Sequence, residues 1–404
     1  MQALVFDASV AGQWATRDAG QVPCAQRQAM SAAAWESSSG FEKAEVLAPV
    51  IDEKNNPADA KAVIIKVHYA GVCGSDRGIW HRQAFRDQIL GSLAQEKKSY
   101  RIIGHEFFGE VVAIGSQVAR AKIGDFATCE SHVVCNACYQ CQRGERHVCT
   151  NESILGISHD GGFAEYAKVP EHIIWVTDTS RIRPEIATMQ EPFGNAVHAA
   201  SKVDLAGKTV ALFGLGPIGM MLALVIRGLG AAAIIGVDPN PVAREMAKRL
   251  GIDYAIPLGP GSKEKPYAHT AAVTDEIMQI TNGVGADISF EMAGFNSSVN
   301  NALFSTRRGG DIILFGLKNG DFVFEDYNRL IVRGFTLHAV IGRQMWRTWE
   351  TTRTLLENPS NKIQEKLFTI LLAEGKDTIM PIADYTKAAF EKKMATHPKI
   401  LLQF

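Results

Sequence analysis

The apolar positions change rhythm part-way along the chain. Up to about residue 170 they come in short runs: Ala3 to Phe6, Lys61 to Tyr69 with β-branched residues prominent, and Phe107 to Ile114 between Gly104 and Gly115. Runs of that length and content predict strands. No regular helical period is evident between them, so this part is expected to be β-rich. From about Ala11 to Asp59 the chain is rich in Ala, Ser, Gln and Asp without a clear pattern, apart from a candidate helix around Gln26 to Trp35.

Beyond residue 200 short buried runs alternate with helical stretches. Val210 to Phe213 predicts a strand, and a glycine turn from Gly214 follows. Pro217 opens a helix to about Leu229, since proline suits a helix's first turn. Ala233 to Val237 predicts a strand, Pro241 to Leu250 a helix, and Gly251 its stop. Tyr254 to Ile256, Ile288 to Glu291, Ile312 to Phe315 and Phe335 to Val340 continue the strand series. Such alternation predicts an α/β fold, a doubly wound parallel sheet. Lys399 to Phe404 reads as a strand returning to the first domain. Met220 to Val237 is mostly apolar, but Arg227, Gly228 and Gly230 interrupt it where a membrane span would suffer most.

A chain of 404 residues fits two domains. The expected division is 1–190, including a metal lobe at about 129–150, then 191–342 for the nucleotide domain, and 343–404 as the return. A net charge of −1 and no dense Lys/Arg run give no reason to expect nucleic acid or a membrane as partner. The first residues lack a basic region ahead of a long apolar core, so a cytoplasmic location is expected.

Seven cysteines, four of them within fifteen residues, argue for metal rather than disulfides. Cys135, Cys138 and Cys141 have two-residue gaps, and Cys149 closes a tetrahedron. Four thiolates without an open position make a structural zinc site. An iron–sulfur cluster and unligated thiols are the competing readings of the spacing.

Cys73, His105 and Glu106 offer a thiolate, an imidazole and a carboxylate, a set suited to a second, catalytic zinc with one position open. Glu191 adds a carboxylate just before the nucleotide domain. Such an ion acts as a Lewis acid on an alcohol. Ser75, two residues after Cys73, is placed to pass the alcohol's proton toward solvent. Gly214-Leu215-Gly216-Pro217-Ile218-Gly219 lies between a strand and a helix and predicts a dinucleotide turn. Asp238, nineteen residues beyond Gly219, is placed for the ribose hydroxyls and favours NAD over NADP, while Arg244 offers a 2′-phosphate a partner.

With these residues assembled, the chain resembles the zinc-containing medium-chain dehydrogenase/reductase family along nearly its whole length, most of all its threonine and polyol dehydrogenase branch. The matching passages are Gly71 to Asp76, Gly104 to Glu106, the four-cysteine lobe, Gly161 to Tyr166, Glu191 to His198, the glycine turn and Ile341 to Trp346. The resemblance implies a GroES-like catalytic domain with a Rossmann domain and the active site in the cleft. It implies Cys73, His105 and Glu106 at the catalytic zinc, and Glu191 as a ligand in some states or through water. It also implies Phe315, Gly316, Leu317, Val340 and Ile341 at the nicotinamide end, and a homo-oligomer, dimer or tetramer.

Three departures stand out. Gly78 occupies the place where many relatives carry a relay histidine, with His81 a candidate substitute. Arg77 resembles the glucose dehydrogenase branch, which often prefers NADP. The segments 11–59 and 81–100 are longer than expected. The expected function is zinc-dependent transfer of hydride from a small-molecule secondary alcohol (a polyol, a sugar or a hydroxy amino acid such as threonine) to NAD. The alternatives are an NADP-dependent aldose or alcohol dehydrogenase and, from another class, a noncatalytic dinucleotide-binding scaffold. The scaffold reading is disfavoured by the complete ligand set.

Overall fold

Ala62–Gly71 is mostly apolar and buried on both faces, with Lys66 its one exposed residue, and it has strand neighbours on both edges. It pairs antiparallel with Glu106–Ile114 on one side, and with Tyr166–Pro170 and Leu401–Gln403 along the other. These strands belong to a seven-stranded sheet in which six run Ile174–Val176, Phe126–Cys129, Glu106–Ile114, Ala62–Gly71, Leu401–Gln403, Ile379–Pro381, and the seventh, Tyr166–Pro170, pairs with Ala62–Gly71 off that path. A three-stranded sheet, Glu42–Glu45, Gln2–Asp7, Tyr100–Ile102, completes the β-rich part. The structure is a computed structural model and describes residues 1–8, 32–317 and 320–404. Cys24 and most of the candidate helix at 26–35 lie outside the described residues; residues 32–37 are helical.

Contacts divide the described chain into two units: Met1–Glu191 with Leu372–Phe404, and Pro192–Leu371. The expected return strand is present, as the register Leu401↔Gly71 shows. Residues 343–371, however, stay with the second unit, so the return begins at Leu372 rather than 343. One reason is local: Lys366 Nζ donates to the Leu250 carbonyl at 3.2 Å, fastening this segment to the end of Pro241–Leu250.

The first unit also contains helices that the sequence reading left out. Gly74–Trp80 follows Cys73 directly, and Arg86–Glu96 fills much of the long segment 81–100. Arg86–Glu96 buries Ile89, Leu90, Leu93 and Ala94, one helical stripe. Its start carries no usual capping signal, because the residue before it is Phe85 in the left-handed region, and Gly91 interrupts its middle. Arg101, fully buried, fastens this helix: it donates to Ser92 Oγ and Glu96 Oε1 on the helix and to Asp160 Oδ1.

The second unit is a six-stranded parallel sheet in the order Tyr254–Pro257, Ala233–Asp238, Thr209–Phe213, Ala286–Glu291, Thr306–Leu314, Thr336–Ala339. The order reverses between Thr209–Phe213 and Ala286–Glu291, and in such sheets ligands bind at that switch, at the strands' carboxyl ends. Phe213, Ile235, Val237, Val273, Ile277 and Ile312 build its core. Asn240 caps Pro241–Leu250 by accepting from Val242 N at 2.9 Å, and Gly251 ends it at φ +118°. The apolar stretch from Met220 divides into the helix Pro217–Gly228, a turn at Gly230 and the strand Ala233–Asp238. Among the described residues no helix is long and apolar enough to cross a membrane.

Candidate active site and metal centres

Strand register brings the first group together. Gly71 lies opposite Glu106, so the carboxyl end of one strand, leading to Cys73, adjoins the start of the other, just after His105. One ligand atom from each of Cys73, His105 and Glu106 lies within 4.8 Å of the other two. Leu401 opposite Gly71 brings in Lys399, which the sequence marks only as the start of the return strand. Its buried ammonium donates to Glu106 Oε2 and, at 3.1 Å, to the Val72 carbonyl. Gly71 leaves room for this pair: a Cβ there would stand 2.4 Å from Glu106 Oε2 and 3.2 Å from Lys399 Nζ.

Asp76, which the sequence marks only as the end of a matching passage, is the second participant. It is fully buried, accepts from Cys73 N at 2.8 Å, and holds Oδ1 3.7 Å from His105 Nδ1. Burial pushes its carboxyl up to about 6, against the pull of His105. Burial disfavours a charge on His105 as well. Asp76, Cys73 and Glu191 outweigh that effect and hold its proton affinity well above the ordinary imidazole range. Ser75 Oγ lies 3.4 Å from His105 Nε2. Glu191, though buried and near enough to act on His105, is not one of the converging three.

The donor set fits a zinc ion. It offers one soft, one borderline and one hard ligand in a buried, anion-rich position, and Glu106 Oε1 has no hydrogen-bond partner among the described residues.

His81 and Arg77 do other work. His81 ends Gly74–Trp80 with an exposed side chain. That is six residues beyond Ser75, about 9 Å further along the helix. Arg77 donates to the carbonyls of His397 and Pro398 at 2.8 and 3.1 Å and so holds the return segment.

Cys135, Cys138, Cys141 and Cys149 converge in a separate lobe. Cys149 Sγ is 3.5 Å from Cys135 Sγ and 3.8 Å from Cys138 Sγ. Four sulfurs around one zinc at the usual bond length stand about 3.8 Å apart. Backbone N–H groups of Ala137 and Cys138 point at Cys135 Sγ at 3.5 and 3.3 Å, and that of Cys135 at Cys149 Sγ at 3.4 Å. Amides of Cys141 and Thr150 draw the Cys138 thiol down to about 5, whereas burial pushes that of Cys141 up to about 12. The lobe fits a closed structural ion, and His147 is not among its donors.

In the second unit the glycine turn takes the form expected. Gly214 has φ +102°, a region that favours glycine. A Cβ on Gly219 would stand 2.2 Å from the Gly214 carbonyl, while one on Gly216 would meet nothing, leaving open space at the helix start. Pro217 and Ile218 begin Pro217–Gly228, whose free amides suit an anion. Asp238, at the end of its strand, accepts from Leu215 N and Asn240 N, each at 2.8 Å, so it joins the turn to the next loop. Arg244 Nη1 donates to the carbonyls of Asp238 and Pro239 at 2.7 and 2.9 Å. Phe315, Gly316 and Leu317 follow Thr306–Leu314, and Val340 and Ile341 follow Thr336–Ala339, all at the sheet's carboxyl edge. Leu317 and Ile341 are exposed there, and Val340 is buried.

Two family descriptions match the chain: the alcohol dehydrogenase GroES-like domain over residues 59–178 and the zinc-binding dehydrogenase over 217–358. The L-threonine 3-dehydrogenase of Symbiobacterium thermophilum is 38% identical over 320 residues, covering 79% of this chain and 84% of that one. The L-threonine 3-dehydrogenase of Caldanaerobacter subterraneus is 37% identical over 297 residues, covering 73% and 80%. In fold the whole chain is similar to the whole galactitol-1-phosphate dehydrogenase of Escherichia coli, with a TM-score of 0.76 at 20% identity.

Proposed function

Since this chain belongs to the zinc-containing medium-chain dehydrogenases, in their threonine dehydrogenase branch, we propose that it oxidises the secondary hydroxyl of a hydroxy amino acid or polyol with NAD. The chain is a zinc-dependent oxidoreductase acting on CH–OH, and its cofactor is a nicotinamide dinucleotide. The finer reading rests above all on the convergence of Cys73, His105 and Glu106 within 4.8 Å. L-Threonine is the first substrate to test, because the relatives described above are named L-threonine 3-dehydrogenases.

Cys73, His105 and Glu106 would hold a zinc ion, which would supply Lewis acidity at the substrate hydroxyl, and a bound nicotinamide would supply the hydride acceptor. The protein's own groups do the rest. Asp76 orients His105, and Lys399 fixes one oxygen of Glu106 while leaving the other available. Ser75 Oγ accepts the hydroxyl proton as it passes its own proton to solvent water, and Glu191 adds negative charge beside His105. Asp238 recognises the ribose hydroxyls and opposes a 2′-phosphate. Arg244 spends Nη1 on two backbone carbonyls, which supports NAD over NADP. The four-cysteine lobe carries a second, structural zinc. The same reading has a homo-oligomer, dimer or tetramer, acting in the cytoplasm.

The test is production of NADH and NADPH from L-threonine, polyols, aldoses and simple secondary alcohols, with and without a zinc chelator. Chelator-sensitive NADH production from L-threonine or a polyol is expected. Preference for NADP sinks the cofactor assignment. Silence with two zinc ions bound per chain sinks the substrate class, and silence with the lobe zinc alone favours a noncatalytic scaffold.

A further inference from the structure

Glu291, the last residue of Ala286–Glu291, is buried, and the chemistry above makes no use of it. Its Oε1 accepts from the amides of Ala293 and Gly294, each at 2.8 Å, and from Ser298 Oγ. The carboxylate also meets the Gly316 amide from the neighbouring strand's loop, and its backbone carbonyl accepts from Phe315 N and Gly316 N at 3.0 and 3.2 Å. One side chain therefore ties two loops at the sheet's carboxyl edge.

The loops touch so closely that no side chain fits between them. A Cβ on Gly294 would stand 2.2 Å from the Leu317 carbonyl, and one on Gly316 would stand 2.1 Å from Gly294 N. Ala293 in turn packs against the glycine turn, 3.0 Å from where a Gly214 Cβ would be. Two large apolar side chains on these loops nonetheless face solvent, Phe295 at 67% and Leu317 at 79% exposed. A dinucleotide lying across the switch point puts one half toward Asp238 and the other over the ends of Ala286–Glu291 and Thr306–Leu314.

We propose that Glu291 is a positioning residue whose buried carboxylate locks these two loops into the seat for the half of the dinucleotide beyond Gly214. The inference rests on the reading that this unit takes a nicotinamide dinucleotide. Glu291 does not touch the cofactor; it acts through Ala293, Gly294 and Gly316.

Glu291→Gln keeps the size of the side chain but sets an amide against N–H donors. The zinc-loaded protein and this variant are titrated with NADH, by its fluorescence, and with ADP-ribose, which lacks the nicotinamide, by calorimetry. The NADH dissociation constant is expected to rise about tenfold, the scale of losing a charge-assisted hydrogen bond. The ADP-ribose constant should stay within about twofold, because the Asp238 side keeps its own hydrogen bonds. Ser298→Ala removes one donor to Glu291, and with it the acceptor for Phe295 N in the same loop, and should show the same asymmetry at about threefold; it serves as the test if Glu291→Gln does not fold. Equal weakening of both ligands, or no weakening of NADH, overturns the proposal. If the unmutated protein binds neither ligand, the dinucleotide reading itself fails and this inference falls with it.

Discussion

Lys399 forms an ion pair with Glu106 in which both side chains are buried, although the two lie 293 residues apart in sequence. One oxygen of a metal-ligating candidate is thus fixed by a residue just ahead of the return strand Leu401–Gln403. Lys399→Met leaves Glu106 charged and buried without its cation, which should cost about 3–5 kcal/mol of stability. Adding Glu106→Gln removes the stranded charge and should restore part of that loss. Chemical denaturation of the two single variants and the double variant measures the coupling. Additive losses would show that the pair is not coupled.

Zinc content separates the two metal positions. Cys73→Ala should leave one zinc per chain and a folded protein with no dehydrogenase activity. Cys141→Ala should also reduce the count to one, but with a protease-sensitive lobe around residues 135–149. Metal analysis with limited proteolysis distinguishes them, and a count of two in either variant refutes the corresponding site.

Asp160 gives a prediction with a pH sign. Burial works to raise its carboxyl, but Arg101 and Lys98 more than offset that and hold it below the ordinary carboxylate value. The stabilisation is therefore fully present above the unfolded value of about 4 and is lost as pH falls through the lower folded value. Asp160→Asn should be less stable than the parent near neutrality and converge with it in acid. Parallel denaturation curves from about pH 6 to about pH 3 test this. A constant gap across that range contradicts it.

Cofactor choice turns on Asp238. Asp238→Ala removes both the proposed ribose partner and the acceptor for Leu215 N. KM for NAD should rise about tenfold, with a smaller effect on NADP. Initial rates with both cofactors give the answer, and an equal loss with each would assign Asp238 to holding the turn alone.

Much of this was legible in the sequence where a few neighbouring residues determine the local outcome. The cysteine gaps, the glycine turn with Pro217 behind it, and Asp238 at a strand end each announce a local geometry. Cys73 with His105 and Glu106 required one further step, the pairing of two apolar strands. The rest depended on contacts that no local pattern encodes. Lys399 reaches Glu106 through the register of the return strand, and Asp76 is distinguished only by its complete burial. Arg86–Glu96 begins at a left-handed Phe85, where a helix start would ordinarily show Ser, Thr, Asp or Asn. The return begins at Leu372 because the preceding segment packs on Pro241–Leu250, a tertiary preference unmarked in composition.

The late arrival of Lys399 also bears on synthesis. Glu106 leaves the ribosome 293 residues before its partner, and all of Pro192–Leu371 is made in between. At about 5–20 residues per second that interval is about 15–60 s. Throughout it, the nascent chain presents Cys73, His105 and Glu106 without the strand that completes their sheet. The four-cysteine lobe, by contrast, is contiguous and ready within its own short stretch. The two candidate metal positions are therefore completed on different clocks: the lobe's four cysteines emerge together, and the position at Cys73, His105 and Glu106 reaches its final form only when the return strand is made.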